Sequence, residues 1–579
     1  MKTETRQCQN CKHDFQIEPE DFSFYEKIKV PPPTFCPDCR AQRRMSWRNE
    51  HNLFKRNEDK DGKVIFSAYP NHSPVKIYEK EYWWSDAWSG LDYGKEYDFS
   101  RSFFEQFHEL MLLVPFPSRS GSNQINSEYS NNAGGLKNCY LCFNCNDAED
   151  CSYGIQFNQM KKCLNMSECS TSEQCSNIFA MTDSYRTHNS ENSASLIDSY
   201  YCFDCRHSSN IVGCVGLRNK NYCIFNKQFT KEEYQEELKK LNLGSYETHK
   251  KIIGIVEDLK KVYPRKYMHT MKSTDVSGDY VFGSKNVKSS FMCYKVEDAK
   301  YVQQSRHSND LFDCTVVTIN ASNAYESSVC GLDNSNLKFS FECHPSCLDI
   351  TYSIFCTSSS HLFGCVGLIK KEYCIFNRQY TKEEYNELVP KIIKHMANMP
   401  YTDKRGNVYR YGEFFPQDFC PFAYNETIAH EYFPLTEEEA VAKGFTWYSV
   451  EDRKIIPTIT TDKIPDHIKD IPDNFSNEII ECDHKGKCNH NCSLAFKAIP
   501  SEISFYKEMN VVFPRSCPNC RHYDRIKDKN SLTLWHRQCM CEKSGHEHEG
   551  TCPNSFETSY PPTRPELIYC EACYQKEVL

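Results

Sequence analysis

No run of eighteen apolar residues interrupts this 579-residue chain, so no membrane-spanning helix is expected. Its first residues, MKTETRQCQNCKHDF, lack the apolar stretch of a secretory leader. The expectation is therefore a cytoplasmic protein whose cysteines are thiols or metal ligands rather than disulfides. Also missing are H-E-x-x-H, G-x-S-x-G and a phosphate-cradling glycine loop. Asp147, Glu149, Asp150 and Asp298 read as solvated acids at turns, and Cys205 with His207, or Cys343 with His344, are neighbours in sequence only. Neither an enzyme nor a small-molecule substrate is expected. A surplus of positive charge is absent too. The net charge of −9 and pI near 6.2 exclude a whole-protein nucleic-acid coat but leave room for a local basic patch.

What the chain has in abundance is cysteine, 34 in all, with 13% aromatic residues, enough to fold a chain whose mean hydropathy is −0.67. Much of it is repeated. Gly213 to Tyr234, GCVGLRNKNYCIFNKQFTKEEY, recurs 151 residues later as GCVGLIKKEYCIFNRQYTKEEY, Gly364 to Tyr385. The same offset lays Cys142 on Cys293, Cys163 on Cys314 and Cys205 on Cys356. Two copies of one unit are expected over residues 126–240 and 277–391. Within the first, Cys139, Cys145, Cys151, Cys163, Cys169 and Cys175 fall on a six-residue step, each preceded by a polar residue such as Asn138, Asp150 or Lys162. That period suits neither a heptad nor an ordinary helix. It suits a β-solenoid, a parallel β-helix-like coil, with small inward residues stacked behind turns at Asn or Asp. The second copy keeps the rhythm only loosely. Each copy ends in T-K-E-E-Y, where Thr230 with Glu233, or Thr381 with Glu384, predicts a capping box and a capping helix.

The termini carry paired cysteines. Cys8-x2-Cys11 and Cys36-x2-Cys39 present two thiolate pairs to one ion, and zinc favours such tetrahedral sulfur sites. A module this small needs the metal's binding energy to fold. The segment Cys11 to Arg40 is duplicated near the C-terminus as Cys492 to Arg521, with Cys517-x2-Cys520 as one ligand pair. There Cys492 is joined by Cys488, chosen over Cys482 because it lies one residue from the position matching Cys8. A further site is expected from Cys539, Cys552, Cys570 and Cys573, with Cys541, His546 and His548 as substitutes. Internal alignment sets Glu58, Asp61, Glu79 and Tyr82 against those four ligands. This N-terminal counterpart is expected to have lost its metal and to fold by packing, with Tyr82, Trp83, Trp84 and Trp88 as the replacement.

The segments CQNCKHDFQIEPEDFSFYEKIKVPPPTFCPDCRAQRR and CNHNCSLAFKAIPSEISFYKEMNVVFPRSCPNCRHYDR resemble the small zinc-ribbon, treble-clef-like family: C-x2-C, an aromatic E-x-x-F-Y stretch, then C-P-x-C-R. CPNSFETSYPPTRPELIYCEACYQKEV resembles a recurrent zinc-ribbon tail. The whole arrangement is similar to large cysteine-rich proteins of candidate-phylum bacteria. The resemblance implies zinc binding and no particular activity. Glu58, Asp61, Glu79 and Tyr82 depart from it, standing where cysteines are the pattern.

The expected architecture is mainly β. Residues 1–57 form a zinc ribbon, 58–100 its decayed partner, 126–240 and 277–391 the solenoid units, 392–480 a connecting region, and 481–579 a two-site zinc module. Thr436 is expected to cap a short helix, and 462–472 reads as an extended linker. Three zinc ions per chain follow. The functional expectation is a zinc-binding scaffold, with an unidentified protein or nucleic acid as partner. Arg40, Arg43, Arg44, Trp47 and Arg48, echoed by Arg521 and Arg525, offer phosphate contacts and base stacking. The alternatives are a protein-interaction solenoid without nucleic acid, and a thiol-rich metal-storage or redox protein.

Overall fold

The computed structural model describes residues 2–309, 315–317, 321–322, 325–326, 328–330, 334–449 and 455–578. Strand outweighs helix, and two large parallel sheets carry most of it. Among the described residues no helix is long and apolar enough to cross a membrane.

The first sheet has 11 strands in sequence order, from Gly121–Ile125 to Lys227–Gln228. Each pairs with the next in parallel until the closing hairpin, and the register advances by 12 residues: Tyr140 faces Ser152, and Ser152 faces Leu164. From Asn138 to Phe225 every third residue has a positive φ. Asn, Asp and Gly tolerate this left-handed backbone best, which accounts for Asn138, Asn144, Asp147 and Asp150. The residue after each corner turns inward, and Cys139, Cys142, Cys145, Ala148 and Cys151 are all buried. The structural repeat is thus three residues. The six-residue rhythm of the sequence is every second inward position, the others being filled by unlike residues such as Ala148, Met160 and Met166.

Cysteine and serine interchange at these positions for a shared reason. The Cys142 thiol donates to the carbonyl of Cys151 at 3.4 Å, Cys163 to Ser172 at 3.5 Å and Cys175 to Ser184 at 3.6 Å, each nine residues on. The Ser184 hydroxyl donates to the Thr182 carbonyl at 2.9 Å and accepts from the Leu196 amide at 3.3 Å. These small groups satisfy corner carbonyls and amides inside the stack. Burial pushes the Cys142, Cys145 and Cys163 thiols well up, and Cys169 to about 12. Raised in this way, these thiols stay protonated at neutral pH, the form that is a poor nucleophile.

Among the described residues the second sheet has 13 strands and a less even register. Thr274 faces Lys285, 11 residues on; Phe291 faces Gln303, 12 on; Ser335 faces Leu348, 13 on. Positive-φ corners slip accordingly, by two residues from Gly278 to Tyr280 and by four from Glu342 to Ser346. These single-residue changes blur the rhythm in the sequence. Cys293 and Cys356 are fully buried like Cys142 and Cys205, whereas Cys314 lies outside the described residues. The repeated segment closes both sheets alike. Asn226 accepts from the Val215 amide and donates to its carbonyl, both at 2.8 Å; Asn377 does the same to Val366 at 2.8 and 2.7 Å. Helices Lys231–Leu241 and Lys382–Asn398 follow, each opened by the expected capping box.

The chain ends dock crosswise. The N-terminal part packs on the second sheet, where Phe103 of helix Phe103–Leu113 meets Tyr352, Phe363 and Phe376 at 5.2–5.4 Å. The C-terminal part packs on the first, where Asn165 donates to the Tyr506 hydroxyl at 2.8 Å. Thr436 caps helix Glu437–Ala442. Residues 462–472 are not a free tether. Ile464, Ile468 and Ile471 are buried in the core beneath the C-terminal part, and Asp466 accepts from Ser245, the N-cap of Tyr246–Val262, at 2.6 Å.

Candidate metal centres

Four times the chain folds a short antiparallel hairpin and later a helix that returns to the hairpin's tip. The hairpins are Glu4–Gln7 with Asp14–Ile17, Phe54–Asn57 with Val64–Ser67, Ile480–Glu481 with Ala495–Phe496, and Trp535–Gln538 with Ser555–Thr558. The helices are Pro37–Ser46, Lys80–Trp83, Pro518–Ile526 and Glu571–Val578. Three of the four bring four cysteines together with their sulfurs within 4.8 Å: Cys8, Cys11, Cys36 and Cys39; Cys482, Cys492, Cys517 and Cys520; Cys539, Cys552, Cys570 and Cys573. Cys36 and Cys517 are the N-caps of their helices with matching backbones, followed by proline at the first helical position, where its missing N–H costs nothing.

One contact recurs in all three. The Cys36 amide donates to the Cys8 sulfur at 3.3 Å, Cys517 to Cys482 at 3.2 Å and Cys570 to Cys539 at 3.2 Å. Side-chain amides add to it: Asn10 donates to Cys39 at 3.3 Å and Asn554 to Cys570 at 3.4 Å. Donors aimed at sulfur favour thiolates. Hydrogen bonding from Cys36 pulls Cys8 down, and from Cys482 pulls Cys517 down, while the same crowding pushes Cys36 and Cys520 up. A bound cation is what allows all four to ionise together. The Cys11 and Cys36 sulfurs stand 3.7 Å apart. Two ligands about 2.3 Å from one tetrahedral ion lie ~3.8 Å apart.

The second tetrad corrects the ligand set expected from the sequence. Cys482, not Cys488, joins Cys492, Cys517 and Cys520. The reason is the hairpin. Cys482 ends its first strand as Cys8 does, and its amide donates to the Leu494 carbonyl across the ladder at 2.8 Å. The tip is longer than Cys8-x2-Cys11, so counting residues back from Cys492 lands on the loop. Cys488 instead lies beside the tetrad, 3.7 Å from Cys520. Likewise Cys541, His546 and His548 gather beside the third tetrad around Cys573 rather than replacing its members.

The fourth hairpin and helix hold Glu58, Asp61, Glu79 and Tyr82. The frame persists without sulfur: the Glu79 amide donates to the Glu58 carboxylate at 3.0 Å, as Cys36 does to Cys8. Glu58 also bonds the Lys63 carbonyl at 2.9 Å, as Cys8 bonds His13. Lys60 places its ammonium 4.0 Å from the Tyr82 ring centre, filling the tip with a cation of its own. Packing completes the unit. Trp83 is fully buried, donates to the Pro115 carbonyl at 2.8 Å and packs at an angle to Trp88 and edge-on to Phe355, whereas Trp84 stays 48% exposed and contributes little to the core.

The residues expected to contact nucleic acid are buried. Arg40, Arg43, Arg44, Trp47, Arg48, Arg521 and Arg525 are each at most 6% exposed. Arg43 pairs with Glu326 at 2.9 Å and Glu413 at 3.5 Å, Arg40 approaches Glu326 at 3.8 Å, and Arg48 bonds Glu50. Trp47 packs among Phe341, Phe414 and Phe415. Arg521 pairs with Glu502 at 2.6 Å, and Arg525 donates to the Arg521 carbonyl at 3.1 Å, its pKa pulled down to about 9 by burial. Sequence showed basic residues on a helix but not the glutamates that face them: Glu326 and Glu413 come from segments hundreds of residues away, and Glu502 from the preceding helix of its own module.

No protein-family model matches the chain, and no curated protein matches it.

Proposed function

We propose that this protein is a zinc-organised, non-catalytic scaffold: two tandem β-solenoid units held and capped by treble-clef-like zinc ribbons at the chain ends, of the kind found in cysteine-rich candidate-phylum proteins. The observation that carries the reading is the burial of two metal-centre helices through arginine–glutamate pairs: Arg43 with Glu326, which comes from the region of the second sheet, and Arg521 with Glu502 of the same C-terminal module, which also accepts from Tyr153 of the first sheet. Zinc at Cys8, Cys11, Cys36 and Cys39, and at the two C-terminal tetrads, then sets the relative position of parts far apart in sequence. The stacked thiols are hydrogen-bonded filling, which favours a scaffold over metal storage. With the arginines occupied internally, the partner of such a surface is a protein rather than a nucleic acid.

Three measurements test this. Purified protein should contain zinc, and replacing Cys36 or Cys517 by serine should each lower the zinc count by the ion of its own tetrad; a metal-free folded chain refutes the zinc reading. Binding to single-stranded RNA and duplex DNA at low salt should be absent, and native purification should bring one stoichiometric protein partner. Salt-sensitive nucleic-acid binding would overturn the choice of partner.

A further inference from the structure

Each C-terminal tetrad has a second ligand set against it, and the two sets share one cysteine. His484, Cys488, His490 and Cys520 have ligand atoms within 4.8 Å of one another, and so do Cys541, His546, His548 and Cys573. Cys520 and Cys573 are also tetrad members and occupy the same place, the second cysteine of C-x2-C at a helix N-terminus. We propose that both C-terminal modules are binuclear metal centres, with one ion in the four-cysteine set, one in the adjoining two-histidine, two-cysteine set, and Cys520 or Cys573 bridging them as a thiolate. This rests on the tetrads binding zinc.

The geometry is that of tetrahedra sharing a corner. Cys488 lies 3.7 Å from Cys520; His546 Nδ1 lies 3.4 Å from the Cys541 sulfur, and His548 Nε2 lies 3.4 Å from Cys573. Ligands on one zinc ion stand ~3.8 Å apart for two sulfurs and ~3.5 Å for sulfur and nitrogen. At the first centre, His484 Nδ1 and His490 Nδ1 are buried atoms without a hydrogen-bond partner among the described residues. The orienting carboxylates match as well. Glu577 accepts from His546 Nε2 at 3.1 Å, and Asp524 stands 3.8 Å from His484 Nε2. Each lies four residues, about one helical turn, after the bridging cysteine, placed to fix the imidazole that ligates with its other nitrogen.

The sequence supplies these ligands by one device used twice. The tip between the first two tetrad cysteines is two residues long in the N-terminal centre, but it is nine residues in Cys482 to Cys492 and twelve in Cys539 to Cys552. Those longer tips contain His484, Cys488 and His490 in one case and Cys541, His546 and His548 in the other. Charge also favours the pair. Four thiolates around one zinc ion carry a net −2, whereas five thiolates and two neutral imidazoles around two ions carry −1, a smaller charge to bury.

Zinc counted per full-length chain after desalting should be five, one at the N-terminal tetrad and two at each C-terminal centre. Replacing His484 and His490 together with alanine should remove one ion, and replacing His546 and His548 should remove another, leaving three in the fourfold variant. Three ions in the unmodified chain, or a count that ignores the histidine replacements, overturns the proposal while leaving the tetrads intact. A chain without zinc sinks the tetrads too, so the two failures are distinguishable. A cadmium-substituted chain supplies a readout independent of variant folding. Nuclear spin coupling between two cadmium ions through one sulfur is expected at each C-terminal centre, and its absence refutes the shared cysteine.

Discussion

Replacing Arg521 with methionine should loosen the seat of the C-terminal module on the first sheet. Arg521 is 6% exposed and its partner Glu502 is fully buried, with nitrogen and oxygen 2.6 Å apart. Burial alone would lower the guanidinium's pKa, but the Glu502 carboxylate more than reverses that. Its plane also lies 4.8 Å from the Tyr153 ring centre and 5.5 Å from Phe496, while Tyr153 and Tyr506 place hydroxyls on Glu502 at 3.1 and 3.3 Å. Without the cation, Glu502 keeps two phenols and no counter-charge. Removing one partner of such a pair costs about 3–5 kcal/mol, whereas replacing both can be nearly neutral. At about 1.4 kcal/mol per factor of ten, amide exchange in Pro518–Ile526 and Leu164–Glu173 should quicken by roughly two to four orders of magnitude. Adding Glu502→Gln should recover most of that protection. Exchange read by mass spectrometry decides the matter. A single variant costing less than about 1 kcal/mol, or a double variant as loose as the single, refutes the view that this arginine serves packing.

Cys482→Ser should cost the second tetrad its ion and Cys488→Ser should leave that ion bound; a zinc count unchanged by the first replacement would restore the sequence-based ligand choice. Burial holds the His188 pKa down to about 3 and that of His249 to about 4, against about 6.5 when unfolded. The unfolded chain therefore binds more protons below pH 6.5, and stability should fall as pH drops from there towards 4, by up to ~1.4 kcal/mol per unit for each histidine. Urea midpoints for wild type and His188→Gln should diverge across that window, and parallel curves would sink the argument. Gly216 has φ +71°, and an added Cβ would lie 1.7 Å from the Tyr263 ring. Gly216→Ala should thus destabilise by about 2–4 kcal/mol in thermal or urea unfolding, and a neutral result would refute that packing. A thiol reagent should leave Cys142, Cys145 and Cys163 untouched until the chain unfolds; rapid labelling of the native protein would contradict their role as filling.

Local chemistry was written into the residues. C-x2-C pairs, the T-K-E-E capping boxes, Asn and Asp before inward cysteines, and the 151-residue duplication all act over a few residues or compare one segment with another, so spacing alone exposed them. The kinship of the fourth hairpin and helix with the three cysteine centres was legible for the same reason, because Glu58, Asp61, Glu79 and Tyr82 could be set against the cysteines. The true step of three residues was hidden because alternate inward positions vary between thiol, hydroxyl and alkyl groups, from Ala148 to Met160 and Ile178.

Tertiary structure alone decided the rest. Cys482 became a ligand because strand pairing, not distance along the chain, places a thiol at the hairpin tip. The basic residues after Cys39 and Cys520 turned inward because Glu326, Glu413 and Glu502 meet them there, and a charge is cheap to bury only where its counter-charge is already in place. The chain's own sequence thus determined which residues can hold metal and where the coils turn. The folding of distant segments onto one another determined which thiols share an ion and which arginines never reach solvent, because those energies depend on partners that no local pattern reveals.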